Sequence, residues 1–511
     1  MLGRLLQSLR RRPDGASPPA GAQAAAAADF AAGRYAAACD YYEAAHRRDP
    51  DDAEVAYRLG VIYGSNGLPA QAAPLLARAA RARPTDVDVL NAQANVAWLQ
   101  ADWARALEFF RNACGLAPRN ATLLANFALC LHDAGEFAEA ATVVSRALEV
   151  DPAHVDALVN AAVVRLDLGD TAGAGECLQR ALAVAPDYPE ARAMHAQWLL
   201  RQARFAEGWR EYAFRLHCRD GRYAELPGVP RWDGVADPAR RLVVCAEQGL
   251  GDQIMFASCL PEVLARMPNC DLECDPRLVR LFARSFPAAR VHAQSPDLQR
   301  PWARTATGGG RQVHLGSLPA LMRTDAASFP AHRGYLCADA ARVEYWRARL
   351  AALGPGLKIG LAWRGGVPRT RQALRSISLT QLPPILRTPG ACFVSLQHGP
   401  CDDDYRALAA CSDARIAHSQ EAIDDFDETT ALVAALDAVV CVCGTAVHLA
   451  GALGKPALVL VPSCPEWRYL SAGDTMPWYP SVRLFRQRTP GDWQGAIAAV
   501  AAELARLAAP A

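Results

Sequence analysis

Residues 118–152 read PRNATLLANFALCLHDAGEFAEAATVVSRALEVDP, and this stretch decides the fold of the first two-fifths of the chain. It opens and closes on proline, Pro118 and Pro152, and has one glycine, Gly135, at its middle. Proline cannot continue a helix, and glycine readily takes the left-handed conformation that ends one. The stretch therefore predicts two helices folded into a hairpin. The same punctuation extends in both directions: Pro50, Pro84, Pro118, Pro152 and Pro186 stand 34 residues apart. Seventeen residues before each proline lies a small residue at the expected turn, namely Gly33, Gly67, Ala101, Gly135 and Gly169.

Small residues also recur where two helices must approach closely. Ala38, Ala72, Ala106, Ala140 and Ala174 open the second helices, with Ala45, Ala79, Ala113, Ala147 and Ala181 two turns on. Tyr42, Leu76, Phe110, Val144 and Leu178 fill the site between. On the first helices Ala26, Gly60, Ala94, Ala128 and Ala162 are equivalent and all small. This pattern closely resembles the tetratricopeptide repeat. The resemblance covers residues 17–220 and implies an α-solenoid of about six units that docks a protein or peptide. A sixth unit after Pro186 is degenerate, with Gly208 and Arg215 where alanine is expected. Residues 1–16 form a short segment with Leu2, Leu5, Leu6 and Leu9 on one helical face, and 221–240 a linker.

Bulk properties narrow the rest. With 54 basic against 53 acidic side chains, no net charge argues for nucleic acid or an anionic membrane. No stretch of about 20 apolar residues reads as a membrane span. The 16 cysteines are scattered without a CxxC pair, so neither a zinc knuckle nor a disulfide scaffold is expected. Reduced, buried thiols point to the cytoplasm.

From Arg241 the pattern changes. Short apolar runs at Leu242–Cys245, Cys270–Cys274, Ala289–His292 and Gln312–Leu315 predict strands separated by helices or loops. A second series begins at Lys358–Trp363 and continues through Cys392–Gln397, Ala414–Ile416, Ala438–Val442 and Ala457–Val461. Alternating strands and helices predict parallel sheets with ligands at the strands' carboxyl ends. Two Rossmann-like halves follow, 241–340 and 341–492, and a terminal helix in 493–511 that packs back across them.

Two glycine turns carry the candidate chemistry. Gln248-Gly249-Leu250-Gly251-Asp252 joins a strand to a helix and offers backbone N–H groups to an anion, with Ile254 where a dinucleotide fingerprint has its third glycine. Asp252 is there either a helix cap or a catalytic carboxylate. Cys443-Gly444-Thr445-Ala446 forms the second turn, either a plain connection or a diphosphate cradle. His448, one turn on, is either a satisfied core histidine or a ligand contact.

Together with Trp363-Arg364-Gly365, Arg375-Ser376, Ser395-Leu396-Gln397 and the Gly444–Pro456 turn, the run Glu247–Asp252 resembles the heptosyltransferase-like (family 9) glycosyltransferases of GT-B fold. Pro465-Glu466-Trp467-Arg468-Tyr469 and Pro477-Trp478-Tyr479-Pro480 are similar to the bacterial branch that carries tetratricopeptide repeats. The resemblance implies inverting, metal-independent sugar transfer from a nucleotide sugar, bound as substrate, with no other cofactor. It implies Asp252 as general base. The implied donor and phosphate set is Gly249, Gly251, Arg364, Arg375, Ser376, Gln397, His398, Gly444, Thr445, Ala446 and His448. Donor would rest on the C-terminal half and acceptor on the N-terminal half. Two departures stand out: Cys443 replaces an aspartate of the heptosyltransferases, and Arg375 stands where they use lysine. Three readings follow: an enzyme glycosylating a protein or peptide chosen by the repeats, a scaffold that keeps the fold without activity, and a heptosyltransferase acting on a cell-surface glycan.

Overall fold

The computed structural model describes residues 21–218, 225–295, 300–303, 309–366 and 372–509; the amphipathic segment expected in 1–16 lies outside them. The chain divides into two compact units, one ending at Pro186 and one beginning at Asp187.

The first unit is five helical hairpins: α1 and α2 (Ala22–Ala31, Tyr35–Arg48), α3 and α4 (Ala53–Ser65, Pro69–Ala82), α5 and α6 (Val87–Leu99, Trp103–Leu116), α7 and α8 (Ala121–Asp133, Phe137–Val150), and α9 and α10 (Val155–Asp167, Thr171–Val184). Gly33, Gly67, Ala101, Gly135 and Gly169 all have positive φ, between 59° and 89°. That explains the glycines: this turn position needs the left-handed region, and Ala101, like Ala203 at the sixth hairpin's turn, takes it with a Cβ. Asp52, Asp86 and Asn120 cap the first helices of their hairpins through side-chain oxygens, and His154 does so through a ring nitrogen. The recurring alanines Ala38, Ala72, Ala106, Ala140 and Ala174 are fully buried, so each pair of helices closes on a methyl group.

The second unit begins with a sixth hairpin, α11 (Pro189–Arg201) and α12 (Phe205–Tyr212), followed by two sheets. The first sheet contains β1 (Leu242–Cys245), β2 (Cys270–Cys274), β3 (Ala289–Ala293) and β4 (Arg311–His314) in the order β3-β2-β1-β4, all parallel. Its helices are α13 (Leu250–Phe256), α14 (Leu260–Arg266), α15 (Val279–Ser285) and α16 (Leu318–Met322). The second sheet contains β5 (Leu357–Ala362), β6 (Ala391–Ser395), β7 (Ile416–Ala417), β8 (Ala438–Val442), β9 (Ala457–Val461), β10 (Thr475–Met476) and β11 (Tyr479–Arg486). Its order is β10-β11-β9-β8-β5-β6-β7, parallel except where β10 turns back on β11. Helices α17 (Ala340–Ala351), α18 (Pro383–Leu386), α19 (Asp402–Cys411), α20 (Gln420–Asp424), α21 (Phe426–Ala435), α22 (Thr445–Ala452) and α23 (Gln494–Ala508) complete it. The central strands β1, β8 and β9 are buried at every residue, which is why they read as unbroken apolar runs.

One strand is not announced in the sequence, and one expectation is corrected. The closing run contains a strand, β11, that the apolar pattern does not announce, because Pro480, Ser481, Arg483 and Arg486 break its alternation; it pairs with β9 and leaves those positions more exposed than Tyr479, Val482 and Leu484. Helix α23 does not pack back across both halves. Its apolar face, Ala496, Ile497, Val500 and Leu504, lies against the second sheet with Ile359, Val440 and Leu458.

In both sheets the strand order, not the strand direction, reverses at a central strand: β1 has β2 on one side and β4 on the other, and β5 has β6 and β8. Ligand crevices of parallel sheets form outside the strand carboxyl ends at such switch points. The segments leaving β1, β5, β8 and β9 carry the glycine turns, Trp363–Gly365 and Glu466 to Arg468.

Candidate functional site

The two glycine turns meet. A Cβ placed on Gly251 would lie 2.9 Å from Cδ2 of His448 and 3.5 Å from Cα of Thr445. The absent side chain at 251 thus lets α13, after β1, close on α22, after β8. Gly365 serves a similar approach, because a Cβ there would fall 2.2 Å from the carbonyl oxygen of Cys443. Its N–H donates to Ser376 Oγ at 3.3 Å. Backbone from β5, β8 and the Arg375 turn is therefore packed without intervening side chains.

Asp252 lies at the third residue of α13, with Gly249 as the N-cap. One carboxylate oxygen accepts the Gly249 N–H at 3.3 Å, and the other accepts from the Arg468 guanidinium. The cap and the site carboxylate are the same residue, so the two readings of Asp252 are compatible. Arg468 also reaches Glu466 at 3.3 Å, and Glu466 accepts from Arg375 at 2.6 Å. Arg375, Glu466, Arg468 and Asp252 form one chain of alternating charge.

Glu466 and Arg468 had no assigned role in the sequence. The available signal was two opposite charges inside an otherwise aromatic run just beyond a fully buried strand. Their partners lie 91 and 216 residues away, out of reach of any local pattern.

The remaining predicted residues separate into groups. His448 is buried, and its Nδ1 lies 3.1 Å from the Tyr479 hydroxyl. Burial, reinforced by the Arg468 charge, pushes its pKa down to about 3, so the ring is neutral at physiological pH. Gln397 turns inward: its Oε1 accepts the N–H groups of Trp363 at 3.0 Å and Arg364 at 2.8 Å, tying the β5 and β6 exits together. His398 beside it is exposed. Arg364 pairs with Asp404 at 3.4 Å, on α19. The Cys443 thiol is buried, and its pKa is pushed up to about 12 by burial and by Glu466. It stays neutral and supplies no charge at the position where the heptosyltransferase resemblance expects an aspartate.

The sixth hairpin is built into this region. Arg215 donates to the Glu247 carboxylate at 2.9 and 2.5 Å, to Ser317 Oγ at 2.9 Å and to the Tyr212 carbonyl at 2.9 Å. Glu247 also accepts the Gly316 N–H at 2.6 Å. Burial opposes the charge on Glu247, but Arg215 outweighs it and holds the carboxyl below its usual range. Tyr212 OH donates to Gln248 Oε1 at 3.1 Å, inside the first glycine turn. Trp209 donates to the Arg323 carbonyl at 2.7 Å and meets Trp467 and Trp478 edge-on at 5.4 and 6.2 Å. The tryptophans of the closing run are thus the packing surface for the last hairpin.

The comparisons with known proteins divide along the chain. Residues 29–96, 97–154 and 131–198 each match the tetratricopeptide repeat family. Over 499 residues the chain is 32% identical to protein FlbA of Caulobacter vibrioides, covering 93% of this chain and 82% of that protein. The chain belongs to the FlbA family. At 93% coverage the relationship with FlbA includes the α/β unit as well as the repeats. Among solved structures, YrrB, described as a tetratricopeptide-repeat protein with an unusual peptide-binding site, is 25% identical to this chain. That match covers 34% of this chain and 87% of YrrB, with a TM-score of 0.28. A thermophilic repeat protein of Thermus thermophilus is also 25% identical, covering 32% of this chain and 90% of its own, with a TM-score of 0.31. Among the described residues no helix is long and apolar enough to cross a membrane.

Proposed function

We propose that this chain is a glycosyltransferase that moves a sugar from a nucleotide-sugar donor to a polypeptide selected by its repeat array. The observation that carries the reading is the meeting of Asp252 with Arg468, Glu466 and Arg375 where the two glycine turns converge. Repeats of this kind ordinarily mediate protein interactions, which supports a polypeptide acceptor.

The chemistry needs a base, a charge acceptor and no redox partner. Asp252 takes the proton of the acceptor hydroxyl as its oxygen bonds to the anomeric carbon. The bond from that carbon to the diphosphate breaks, and its electron pair leaves with the nucleotide. Arg375 and the N–H groups of Gly444, Thr445 and Ala446 stabilise the diphosphate charge, with the dipole of α22 behind them. Attack from the Asp252 side, opposite the leaving group, inverts the anomeric centre.

A second reading has its own observation. A neutral, buried Cys443 stands in place of the carboxylate expected from the heptosyltransferase resemblance, which favours a scaffold that retains the fold.

One experiment separates the readings. The full chain is incubated with a lysate and a panel of nucleotide sugars, sugar additions are followed by mass spectrometry, and binding is followed by thermal shift. The transferase reading expects a hexose- or heptose-sized mass on a polypeptide, lost by about a thousandfold in Asp252→Asn with donor binding not weakened. No shift with any nucleotide supports the scaffold instead. Selective binding of ADP with transfer to glycan supports heptosyl transfer.

A further inference from the structure

Two arginines, Arg375 and Arg468, stand in the candidate donor site with side chains only 10% and 13% exposed. A guanidinium so buried must keep an anion beside it. In this structure Glu466 serves both, one carboxylate oxygen on Arg375 at 2.6 Å and the other on Arg468 at 3.3 Å. Bridging two guanidiniums with separate oxygens is the geometry a phosphate group adopts. Arg468 is also held in place against the ring of its neighbour Trp467, 4.8 Å from the centroid. Glu466 stands just ahead of the short turn Trp467–Tyr469 and, at 24%, is the most exposed of the four charged residues.

The arrangement has a consequence for Asp252. One of its oxygens holds the Gly249 N–H and the other the Arg468 guanidinium. In that state neither oxygen faces an incoming hydroxyl without competition. A free base requires Arg468 to be drawn elsewhere.

We propose that Glu466 is a resident stand-in for the donor diphosphate: the diphosphate displaces it from Arg375 and Arg468, and Arg468, engaged by phosphate, releases Asp252. The inference rests on the transferase reading for the identity of the ligand and the role of Asp252. It implies an obligatory order, donor before acceptor, because the base is unmasked only by the anion. It also makes Arg468 a diphosphate ligand alongside Arg375. Glu466 returns when the nucleotide leaves, so the buried cations are never uncompensated.

The test uses the full chain and inorganic pyrophosphate, titrated calorimetrically. Glu466→Gln keeps the side chain's size and removes the competing charge, so pyrophosphate should bind roughly tenfold tighter than to the parent. Asp252→Asn should tighten binding severalfold, because it removes the other anion on Arg468. Arg468→Gln should lose the site, with affinity falling at least tenfold. Equal or weaker binding by Glu466→Gln overturns the displacement, and so does pyrophosphate binding that Arg468→Gln leaves intact. An unchanged affinity in Asp252→Asn overturns the coupling to the base. If the affinities change as expected but no donor yields a glycosylated product, the anion exchange stands and the transferase reading falls.

Discussion

The five hairpins of the first unit and the sixth, in the second unit, share a repeat and differ in what holds them. In the first five, the recurring alanines, such as Ala174 and Ala181, are buried, and at Gly60 against Leu76 the helices close small against large. In the sixth the corresponding positions are Gly208 and Arg215: the glycine admits no methyl group, and the arginine is spent on a buried carboxylate. The regular hairpins are interchangeable parts, each needing only a neighbour of its own kind. The sixth is specific to one site, because Arg215 and Tyr212 hold Glu247 and Gln248, residues that lead directly into the turn bearing Asp252. What looks like decay of the repeat is adaptation to a different partner.

Breaking the ion pair should expose this difference most strongly. Arg215→Ala leaves Glu247 charged and buried without its partner, at a cost of about 3–5 kcal/mol to the second unit. Urea unfolding followed by hydrogen exchange resolves the two units; a loss under about 1 kcal/mol would mean the pair is not what anchors the hairpin. Arg215→Met combined with Glu247→Gln should recover most of the loss, because no charge is then stranded. The parent's dependence on pH has a definite sign. Glu247 has a depressed pKa, so its contribution is present above the ordinary carboxylate pKa and disappears as pH falls through the folded value.

The first unit has its own buried charge, with the opposite pH dependence. His132 Nε2 lies 2.7 Å from Asp167 and its Nδ1 3.1 Å from Asp133, which also accepts from Trp98 Nε1 at 3.0 Å. Burial opposes protonation, but the two aspartates prevail and raise its pKa to about 9. The stabilisation is complete below about pH 6.5 and is lost as pH rises through about 9, up to about 3 kcal/mol in all. Between about pH 6.5 and 8 the urea midpoint of the first unit should fall in the parent and stay flat in His132→Asn; nearer pH 9 the buried thiols, whose pKa values burial raises, add a decline common to both. A parallel decline in both proteins over the lower range would place the titration elsewhere. Alkaline pH should therefore weaken the repeats, and acid pH the sixth hairpin's anchorage.

Much of this was legible in the sequence, and the limits have physical causes. The 34-residue period survives because each hairpin repeats the same local requirements, a left-handed turn and an alanine contact. The strands β1, β8 and β9 were readable because both faces are buried and nothing polar interrupts them. Strand β11 escaped because Arg483 and Arg486 occupy its more exposed positions, where the pattern resembles a loop. Within the site, the two glycine turns are visible in the sequence, but the close approach of Gly251 to Thr445 and His448 and the hold of Gln397 on the Trp363 and Arg364 N–H groups are long-range contacts that no local pattern records. Gly208 and Arg215 were visible only as departures from the repeat, since a sequence records that alanine is missing and not which residue is met in its place.

Gly208 offers the smallest and sharpest test of the comparison. By helix propensity alone, Gly208→Ala inside α12 should stabilise by roughly 0.5–1 kcal/mol, as alanine at this position does in the other hairpins. The structure reverses the sign. A Cβ at 208 would sit 2.6 Å from Leu200 Cγ and 2.7 Å from Cδ2, with the Leu200 backbone nitrogen at 3.2 Å. Leu200 is fully buried and belongs to the same core as Trp209, Tyr212, Phe256 and Trp467, so displacing its side chain disturbs that packing. Overpacking of this kind costs about 1–3 kcal/mol and outweighs the propensity gain. The mirror substitution, Ala174→Gly at the equivalent position, should cost about 1–2 kcal/mol, from lost propensity and a lost methyl contact. Both substitutions should then destabilise, each in its own unit by hydrogen exchange, although they exchange the same two residues in opposite directions. If Gly208→Ala instead stabilised the second unit, the sixth hairpin would be closing as loosely as the other five, and its glycine would be decay after all.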